Sequence, residues 1–240
     1  MTNRFPKLIA HRGASAQAPE NTMPAFLRAV EVGAKAIEFD VTMSADGVPI
    51  VIHDETLDRT TNGIGPVVLK TWQELQALDA GSWFGSKYDD VKIPHLEEVL
   101  EFSKHHSLAL NLEIKPTLGL EQQTVDAIVS ALNGIDVSLV VSSFNERALA
   151  MFQVKAPEVE LAYLTEAIPP DWVRRMAPFG AQAMHCWDAF VTQAVVDEIV
   201  NAGKTLRVYT VNDVRRAQQL WSWGVEAVFT DHPDKLIEVI

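Results

Sequence analysis

Short apolar runs alternate with longer amphipathic segments along nearly the whole chain. The short runs are typical of buried strands, and the longer segments place apolar residues three or four positions apart, as on one face of a helix. The predicted strands are Leu8–Ala10, Ala36–Val41, Ile50–His53, Leu108–Ile114, Ser138–Ser142, Leu161–Leu164, Ala181–Met184, Thr205–Tyr209 and Ala227–Phe229. The predicted helices are Met23–Val32, Thr71–Leu78, Leu96–His105, Gln122–Asn133, Glu146–Lys155, Asp171–Ala177, Gln193–Ala202, Val214–Trp223 and a last one from Asp234.

This order predicts an α/β fold, a TIM (β/α)₈ barrel, because about eight major strands are each followed by a helix. A doubly wound open sheet is the alternative. One segment breaks the rhythm, since a long connection rich in Gly, Thr and aromatic residues follows His53. Compact domains seldom carry such a loop without a purpose. We therefore expect one domain over residues 1–240, with a small inserted subdomain, or lobe, at about residues 55–94 after the second strand.

Composition narrows the function. The chain has 240 residues, 48% of them hydrophobic, and a formal net charge of −12. An acidic protein lacks the basic face that binds nucleic acid or an anionic membrane, so neither is an expected partner. The N-terminal apolar run is too short for a signal peptide, and no stretch approaches the roughly 20 apolar residues of a membrane span. We expect a cytoplasmic protein without a stable membrane anchor. Whether it forms a homo-oligomer is left open.

Two of the predicted strands, Ala36–Val41 and Leu108–Ile114, carry charged side chains near their C-terminal ends. Side chains alternate along a strand, so Glu38 and Asp40 in the run IEFD point the same way. The same alternation in NLEIK puts Asn111, Glu113 and Lys115 on a common side. In a barrel of parallel strands, both ends open onto the same face.

Three carboxylates at that face predict a metal site. Glu38, Asp40 and Glu113 would repel one another without a cation between them. Oxygen ligands favour a hard divalent ion, so we expect one divalent cation, Mg²⁺ or Ca²⁺. The alternative is that each carboxylate only pairs with a base such as Arg12 or Lys115.

Two histidines also follow apolar runs, His11 in LIAHRG and His53 in IVIHD. Two imidazoles beside a metal suit phosphoryl transfer, because one ring removes a proton from the attacking hydroxyl and the other protonates the leaving alcohol. Arg12 would hold phosphate oxygens. The alternative for either histidine is a structural or surface role.

Aromatic residues offer an apolar wall for the substrate alcohol. The candidates are Trp83, Phe84 and Tyr209, although aromatic side chains more often belong to the core. Glu20, in the run PENT, is a polar residue just before a predicted helix, and capping explains the neighbouring Asn21 and Thr22 equally well.

Several motifs together resemble one known family, the glycerophosphodiester phosphodiesterases. In chain order these are HRGASAQAPENT, EFDVTMSADGVPIVIHDETLDRTTNGIG, LDAGSWFGSKYDDVKIPHLEEVL, NLEIKP, SSF, YTVN and TDHP. The resemblance covers nearly the whole chain and is closest to the short cytoplasmic bacterial members. It implies a TIM barrel with an inserted subdomain, which hydrolyses a glycerophosphodiester, a small-molecule substrate, to an alcohol and glycerol 3-phosphate.

The resemblance also assigns roles to single residues. It implies His11 and His53 as the catalytic acid/base pair. Which of them is the acid and which the base is left open, and our hypothesis is His11 as base and His53 as acid. The resemblance implies Glu38, Asp40 and Glu113 as metal ligands. Arg12 and Lys115 match phosphate-holding positions, and Glu20 matches a polar position near the metal.

The chain departs from the family pattern at two positions. Tyr209 stands where tryptophan is common, and His95 stands where threonine is usual. Both departures bear on the shape of the substrate pocket and therefore on the alcohol that is released.

The first nucleophile is left open in this prediction. Either the substrate 2-hydroxyl attacks phosphorus to give a cyclic phosphate, which water then opens, or water attacks directly. Two other functions are alternatives. A phospholipase D-like or phosphatidylinositol-type phospholipase C activity on intact lipids would use a similar barrel and histidine pair. A non-catalytic binding module would keep the pocket without turnover.

Overall fold

The computed structural model describes residues 5–240, which form nine strands and nine α-helices. The first four residues of the N-terminal segment considered for a signal peptide lie outside this range. The strands are β1 (Leu8–Ala10), β2 (Ala36–Met43), β3 (Pro49–Val51), β4 (Ala109–Ile114), β5 (Leu139–Ser143), β6 (Glu160–Thr165), β7 (Ala183–Trp187), β8 (Thr205–Tyr209) and β9 (Ala227–Thr230). The helices are α1 (Met23–Glu31), α2 (Trp72–Gln76), α3 (Leu96–His106), α4 (Glu121–Leu132), α5 (Glu146–Lys155), α6 (Trp172–Met176), α7 (Gln193–Asn201), α8 (Val214–Trp223) and α9 (Pro233–Leu236).

Eight of the strands form a closed parallel barrel. Each barrel strand pairs in parallel with the next, in the order β1, β2, β4, β5, β6, β7, β8, β9. The ring closes because β1 pairs with both β2 (Ala10 beside Ile37) and β9 (Ile9 beside Phe229). The predicted TIM barrel is therefore confirmed, and the open doubly wound sheet is excluded.

Strand alternation divides the apolar residues into two layers. On β2, Ile37, Phe39 and Val41 face outward and pack with the surrounding helices in the largest hydrophobic cluster. Ala36 belongs instead to a smaller cluster inside the barrel. Outward packing fixes the direction of the polar residues between them, so Glu38 and Asp40 point into the barrel.

A buried arginine fills the alanine-lined interior of the barrel. Arg207 donates hydrogen bonds of 2.8 Å to the carboxylates of Glu226 and Glu160, and its guanidinium lies 4.8 Å from the ring centroid of Phe5. These partners offset the cost of burying its charge. His185 is fully buried next to it, with its ring 5.0 Å from that of Phe229, so it does not line the barrel mouth.

The short strand β3 is not a barrel strand. It runs antiparallel to β2, with Val41 beside Val51, and the pair forms a hairpin. The strand predicted at Ile50–His53 begins one residue earlier and ends at Val51, so His53 follows this strand at a distance of two residues. The hairpin turns the chain back toward the barrel, since the Ile52 amide donates to the Asp40 carbonyl oxygen.

The connection between β3 and α3 forms a lobe with an apolar cluster of its own. This cluster consists of Ile50, Ile52, Leu57, Val67, Leu75, Ala80 and Ile93. Its helix α2 begins at a capping box, in which Thr71 and Glu74 satisfy each other's backbone amides. The chain between β3 and α3 therefore packs around apolar residues of its own.

Element boundaries differ from the predicted ones by a few residues. The strand expected at Ala181–Met184 starts and ends later, as β7, because Gly180 in a left-handed conformation delays it. Among residues 5–240, every helix is too short or too polar to cross a lipid bilayer.

Candidate active site

Three carboxylates converge at the C-terminal ends of β2 and β4. Asp40 lies directly beside Glu113 in the sheet register, and Glu38 lies beside Asn111. One oxygen from each of Glu38, Asp40 and Glu113 can be chosen so that all three lie within 4.8 Å of one another. We call these three residues the acidic trio. Its donors are all carboxylate oxygens, which suits a hard divalent cation.

Cations approach the trio from two sides. Arg12 Nε lies 3.4 Å from Asp40 Oδ2, and Lys115 Nζ lies 3.7 Å from Asp40 Oδ1 and 4.0 Å from Glu113 Oε1. Burial favours the neutral acid, but Arg12 and Lys115 outweigh it and lower the pKa of Asp40. Asp40 therefore carries the negative charge of the trio at neutral pH.

The pKa values of the other two carboxyl groups, those of Glu38 and Glu113, are shifted upward, opposite to that of Asp40. Burial, followed by repulsion from Asp40, raises the pKa of Glu113 to about 8. Burial and repulsion from Asp40 and Glu113 raise the pKa of Glu38 well above its ordinary value. Burial and mutual repulsion thus oppose ionisation of two of the three acids. A divalent cation bound between them would offset this repulsion and favour their ionised forms.

These shifts predict a pH dependence for the metal-free protein. The folded-state pKa of Glu113 lies above the unfolded value of 4.5, so its contribution to stability is lost as pH rises through about 8. Below pH 6.5, unfolded histidines also take up protons, whereas burial lowers the pKa of folded His53 and His185 and opposes this trend. We therefore expect the urea midpoint in EDTA to fall between pH 6.5 and 8.

The control for this prediction is Glu113→Gln, which removes the titrating group. The decline of the urea midpoint should become shallower in this variant. An equally steep decline in the variant would contradict the assigned cause.

His11 follows β1 and is oriented by a residue from the other end of the chain. Its Nδ1 lies 2.7 Å from Oδ1 of Asp231, and its Nε2 lies 4.0 Å from Oε2 of Glu38. A carboxylate at Nδ1 holds the proton there and leaves Nε2 free toward the trio. Burial opposes ionisation of Asp231, but hydrogen bonds from His11, Asn212 and Ser15 keep its pKa low.

His53 has a similar arrangement on the opposite side. Its Nδ1 lies 2.6 Å from Oδ1 of Asp54, the next residue. Asp54 also accepts hydrogen bonds of 2.7 and 3.0 Å from Arg59, and this pairing lowers its pKa. The hairpin return, rather than the end of a barrel strand, brings His53 to the site.

Glu20 links the lobe to the barrel. Its carboxylate accepts hydrogen bonds of 2.7 and 2.8 Å from Arg59 and one of 2.7 Å from Arg12. It does not line the cavity described below. In this structure Glu20 therefore orients Arg12 instead of facing that cavity.

Arg12 and Asn21 both have positive φ angles, of 56° and 55°. The Arg12 amide donates to Glu38 Oε2 at 2.8 Å, and the Asn21 side-chain amide donates to Asp40 Oδ2 at 2.8 Å. The loop between β1 and α1 thus fixes two members of the trio with one backbone and one side-chain donor. The capping explanation for Asn21 missed this contact.

Two members of the trio, Glu38 and Glu113, and both histidines border a cavity of about 330 Å³ at the barrel mouth. Its lining has two unlike parts. The polar part contains His11, Arg12, Glu38, His53, Asn111 and Glu113. The remaining part contains Phe144, Leu164, Glu166, Trp187, Tyr209, Thr210 and Phe229. Lys115 borders an adjoining cavity of about 180 Å³, which also contains His53 and Glu113.

Of the aromatic candidates from the sequence, only Tyr209 lines this cavity. Trp83 and Phe84 lie in the lobe, where their rings meet edge to face at 5.6 Å and Phe84 packs on Tyr88. The Trp83 indole N–H donates to the Ala80 carbonyl oxygen. Neither residue is among those that line this cavity, and their contribution to a substrate wall stays a prediction.

Sequence reasoning also missed the residues that orient the histidines. Asp54 follows His53 directly. Asp231 stands in the TDHP motif, which contributes to the family resemblance but to which we assigned no role. A carboxylate next to a histidine is a local signal that could have identified Asp54. Asp231 also stands next to a histidine, His232, but the ring that it orients is that of His11, 220 positions away, so this signal does not identify its partner.

Comparison with known proteins supports the resemblance to the glycerophosphodiester phosphodiesterases. The model of the glycerophosphoryl diester phosphodiesterase family matches residues 11–235. A glycerophosphodiester phosphodiesterase of Bacillus altitudinis is 37% identical, with 97% of each chain covered. Another, from Caldanaerobacter subterraneus subsp. tengcongensis, is 35% identical over the same shares.

A solved structure shows the same fold. It is an Oleispira antarctica phosphodiesterase in complex with the product sn-glycerol-3-phosphate. It superposes with a TM-score of 0.95 at 39% identity and covers 98% of this chain and 96% of its own. Sequence and structure therefore agree that the chain belongs to the glycerophosphoryl diester phosphodiesterase family.

Proposed function

We propose that the protein hydrolyses glycerophosphodiesters to an alcohol and glycerol 3-phosphate. The observation that carries this proposal is the acidic trio flanked by two histidines, each with Nδ1 on a carboxylate. This arrangement offers a cation site and two proton-transfer groups around one cavity, which is what phosphodiester cleavage requires.

The trio fits one divalent cation, and we propose Mg²⁺ or Ca²⁺. Glu38, Asp40 and Glu113 would hold it, since their carboxylate oxygens converge. When bound, such a cation offsets the negative charge of the phosphate oxygens. Arg12 and Lys115, both beside Asp40, would add positive charge on the same side.

The two histidines carry the proton transfers. Asp231 accepts the proton on His11 Nδ1, and Nε2 is left free and points toward Glu38 in the acidic trio, where it can accept a proton. We therefore propose His11 as base toward the attacking hydroxyl. Burial, together with the charges of Arg12 and Lys115, lowers the pKa of His53. A protonated His53 is accordingly a stronger acid, suited to protonating the leaving alcohol.

The cavity volume favours a small diester. About 330 Å³ accommodates a compact polar molecule, with its phosphate on the polar lining and its alcohol on the apolar lining. The solved relative from Oleispira antarctica holds sn-glycerol-3-phosphate, one of the two products that the proposed reaction gives. The intact-lipid alternative has no comparable support. The cytoplasmic location stays a prediction from the sequence.

A turnover screen tests the proposal. The substrates are glycerophosphocholine, glycerophosphoethanolamine and glycerophosphoglycerol, with phosphatidylcholine and sphingomyelin as intact lipids. We expect release of glycerol 3-phosphate from the first group only, loss of turnover in EDTA, and recovery with Mg²⁺ or Ca²⁺.

Two results of the screen would contradict the proposal. Faster turnover of the intact lipids would favour the phospholipase alternative. Turnover that EDTA leaves unchanged would remove the metal role of the acidic trio.

A further inference from the structure

The cavity at the barrel mouth has an aromatic side that the proposed proton transfers do not use. Phe144 follows β5, Trp187 ends β7 and Tyr209 ends β8, and all three line the cavity. Trp187 and Tyr209 are direct neighbours in the sheet register. The Phe144 and Tyr209 rings meet edge to face, with centroids 6.4 Å apart. Three strands therefore present a concave aromatic surface opposite the charged residues.

Two of these three rings are exposed although each touches another ring. Phe144 is 49% exposed and Trp187 is 44% exposed, whereas the aromatic core residues Phe26 and Phe39 are fully buried. Phe144 packs on Tyr209 and Trp187 packs on Phe190, so each exposed ring leaves a large part of its surface open. Exposed apolar surface that borders a cavity is typical of a ligand contact.

A single carboxylate stands among these rings. Glu166, in the loop after β6, lines the same cavity. Its carboxylate forms no ion pair with a basic side chain of residues 5–240, unlike Glu20, Glu146 and Glu160. The backbone places it next to two of the rings. The Glu166 carbonyl oxygen accepts a hydrogen bond of 3.2 Å from the Trp187 amide, and the Tyr209 hydroxyl donates to the carbonyl oxygen of the preceding residue, Thr165.

All basic residues that line this cavity lie on its polar side. They are His11, Arg12 and His53. Within the part of the chain that the structure describes, the aromatic side thus combines ring faces with a negative charge and has no positive one. Aromatic faces and a carboxylate attract an organic cation, and quaternary ammonium groups are bound in this way.

We propose that Phe144, Trp187, Tyr209 and Glu166 form a subsite for a cationic amino alcohol, with a substituted ammonium group such as that of choline. This inference rests on the proposed function, because it names the alcohol half of the diester that the site would cleave. The phosphate lies toward the trio, and the ammonium group lies against the rings, with Glu166 beside it. The net charge of −12 adds a long-range attraction for a cationic group.

The test compares two diesters that differ only in charge. One is glycerophosphocholine, and the other is its neutral isostere, in which a 3,3-dimethylbutyl group replaces choline. We expect the metal-loaded enzyme to show about a tenfold higher kcat/KM for the choline diester, because the ring and carboxylate contacts need the positive charge. Glu166→Gln and Trp187→Leu should each bring this ratio toward one.

The matched control is Glu158→Gln. Glu158 is exposed in the turn before β6, at the opposite end of the strand that leads to Glu166. The substitution Glu158→Gln removes the same charge from the protein as Glu166→Gln does. The ratio of the two kcat/KM values should stay near ten in this control. A binding measurement gives a second readout, in which choline should inhibit competitively at a lower concentration than 3,3-dimethylbutan-1-ol.

The outcomes separate the two proposals. A ratio near one in the unchanged enzyme would overturn the subsite, and so would a ratio near ten in either variant. Turnover of neither diester would overturn the proposed function, and the subsite with it. Since Glu166 is exposed, Glu166→Gln is expected to fold normally.

Discussion

Replacing His11 or His53 with alanine is expected to lower kcat by about 10² to 10⁴-fold. Each ring has Nδ1 on a carboxylate and lines the cavity beside the acidic trio. Alanine can neither accept nor donate a proton, so the loss should appear in the rate at saturating substrate. Metal affinity should stay within severalfold, since neither ring belongs to the trio.

The measurement is steady-state turnover of glycerophosphocholine together with calorimetric titration of the metal. His105→Ala is the matched control, because this exposed histidine lies in the last turn of α3, outside the lining of the cavity. Near-normal kcat in His11→Ala or His53→Ala would refute the assignment for that residue. The pH profiles of the two variants separate base from acid, since each should lose a different limb.

Changing a carboxylate of the trio to its amide is expected to abolish high metal affinity. Asp40→Asn and Glu113→Gln each remove one charged ligand while keeping the size of the side chain. Loss of an outer-shell partner alone costs about 10- to 100-fold in metal affinity, so loss of a ligand should exceed about 100-fold. Turnover at low metal concentration should fall accordingly.

Calorimetry with Mg²⁺ and with Ca²⁺ provides the measurement, and urea unfolding shows whether the variants are folded. Asp136→Asn serves as control, because Asp136 is exposed and lies in the loop before β5. Unchanged metal affinity in both trio variants would place the cation elsewhere. Weaker binding in Asp136→Asn would mean that net charge, and not ligation, accounts for the effect.

Periodicity predicted the barrel and half of the site because both depend on local rules. Alternation along β2 places Glu38 and Asp40 on the inner side, and the parallel neighbour β4 brings Glu113 beside them. These relations need only strand order and side-chain direction. The residues involved follow from the sequence without any knowledge of loops.

Other parts of the site depend on contacts that no local rule provides. Asn21 reaches Asp40 from a loop whose backbone has a positive φ angle at a residue other than glycine. The lobe has no repeating pattern, so its aromatic residues Trp83 and Phe84 gave no sign that they pack on each other. Hydrophobicity marks a side chain as apolar, but it does not say which of two cavities or clusters the side chain joins.

The pairing of β1 with β9 joins the first strand of residues 5–240 to the last one. His11 and Asp231 face each other across this seam, 220 positions apart in the chain. Contacts between distant positions form slowly, because the entropy of closing the intervening loop must be overcome first. We therefore expect β2 and β4 to bring the acidic trio together before His11 meets its partner, so that the proton-transfer geometry is completed only when the ring of strands closes.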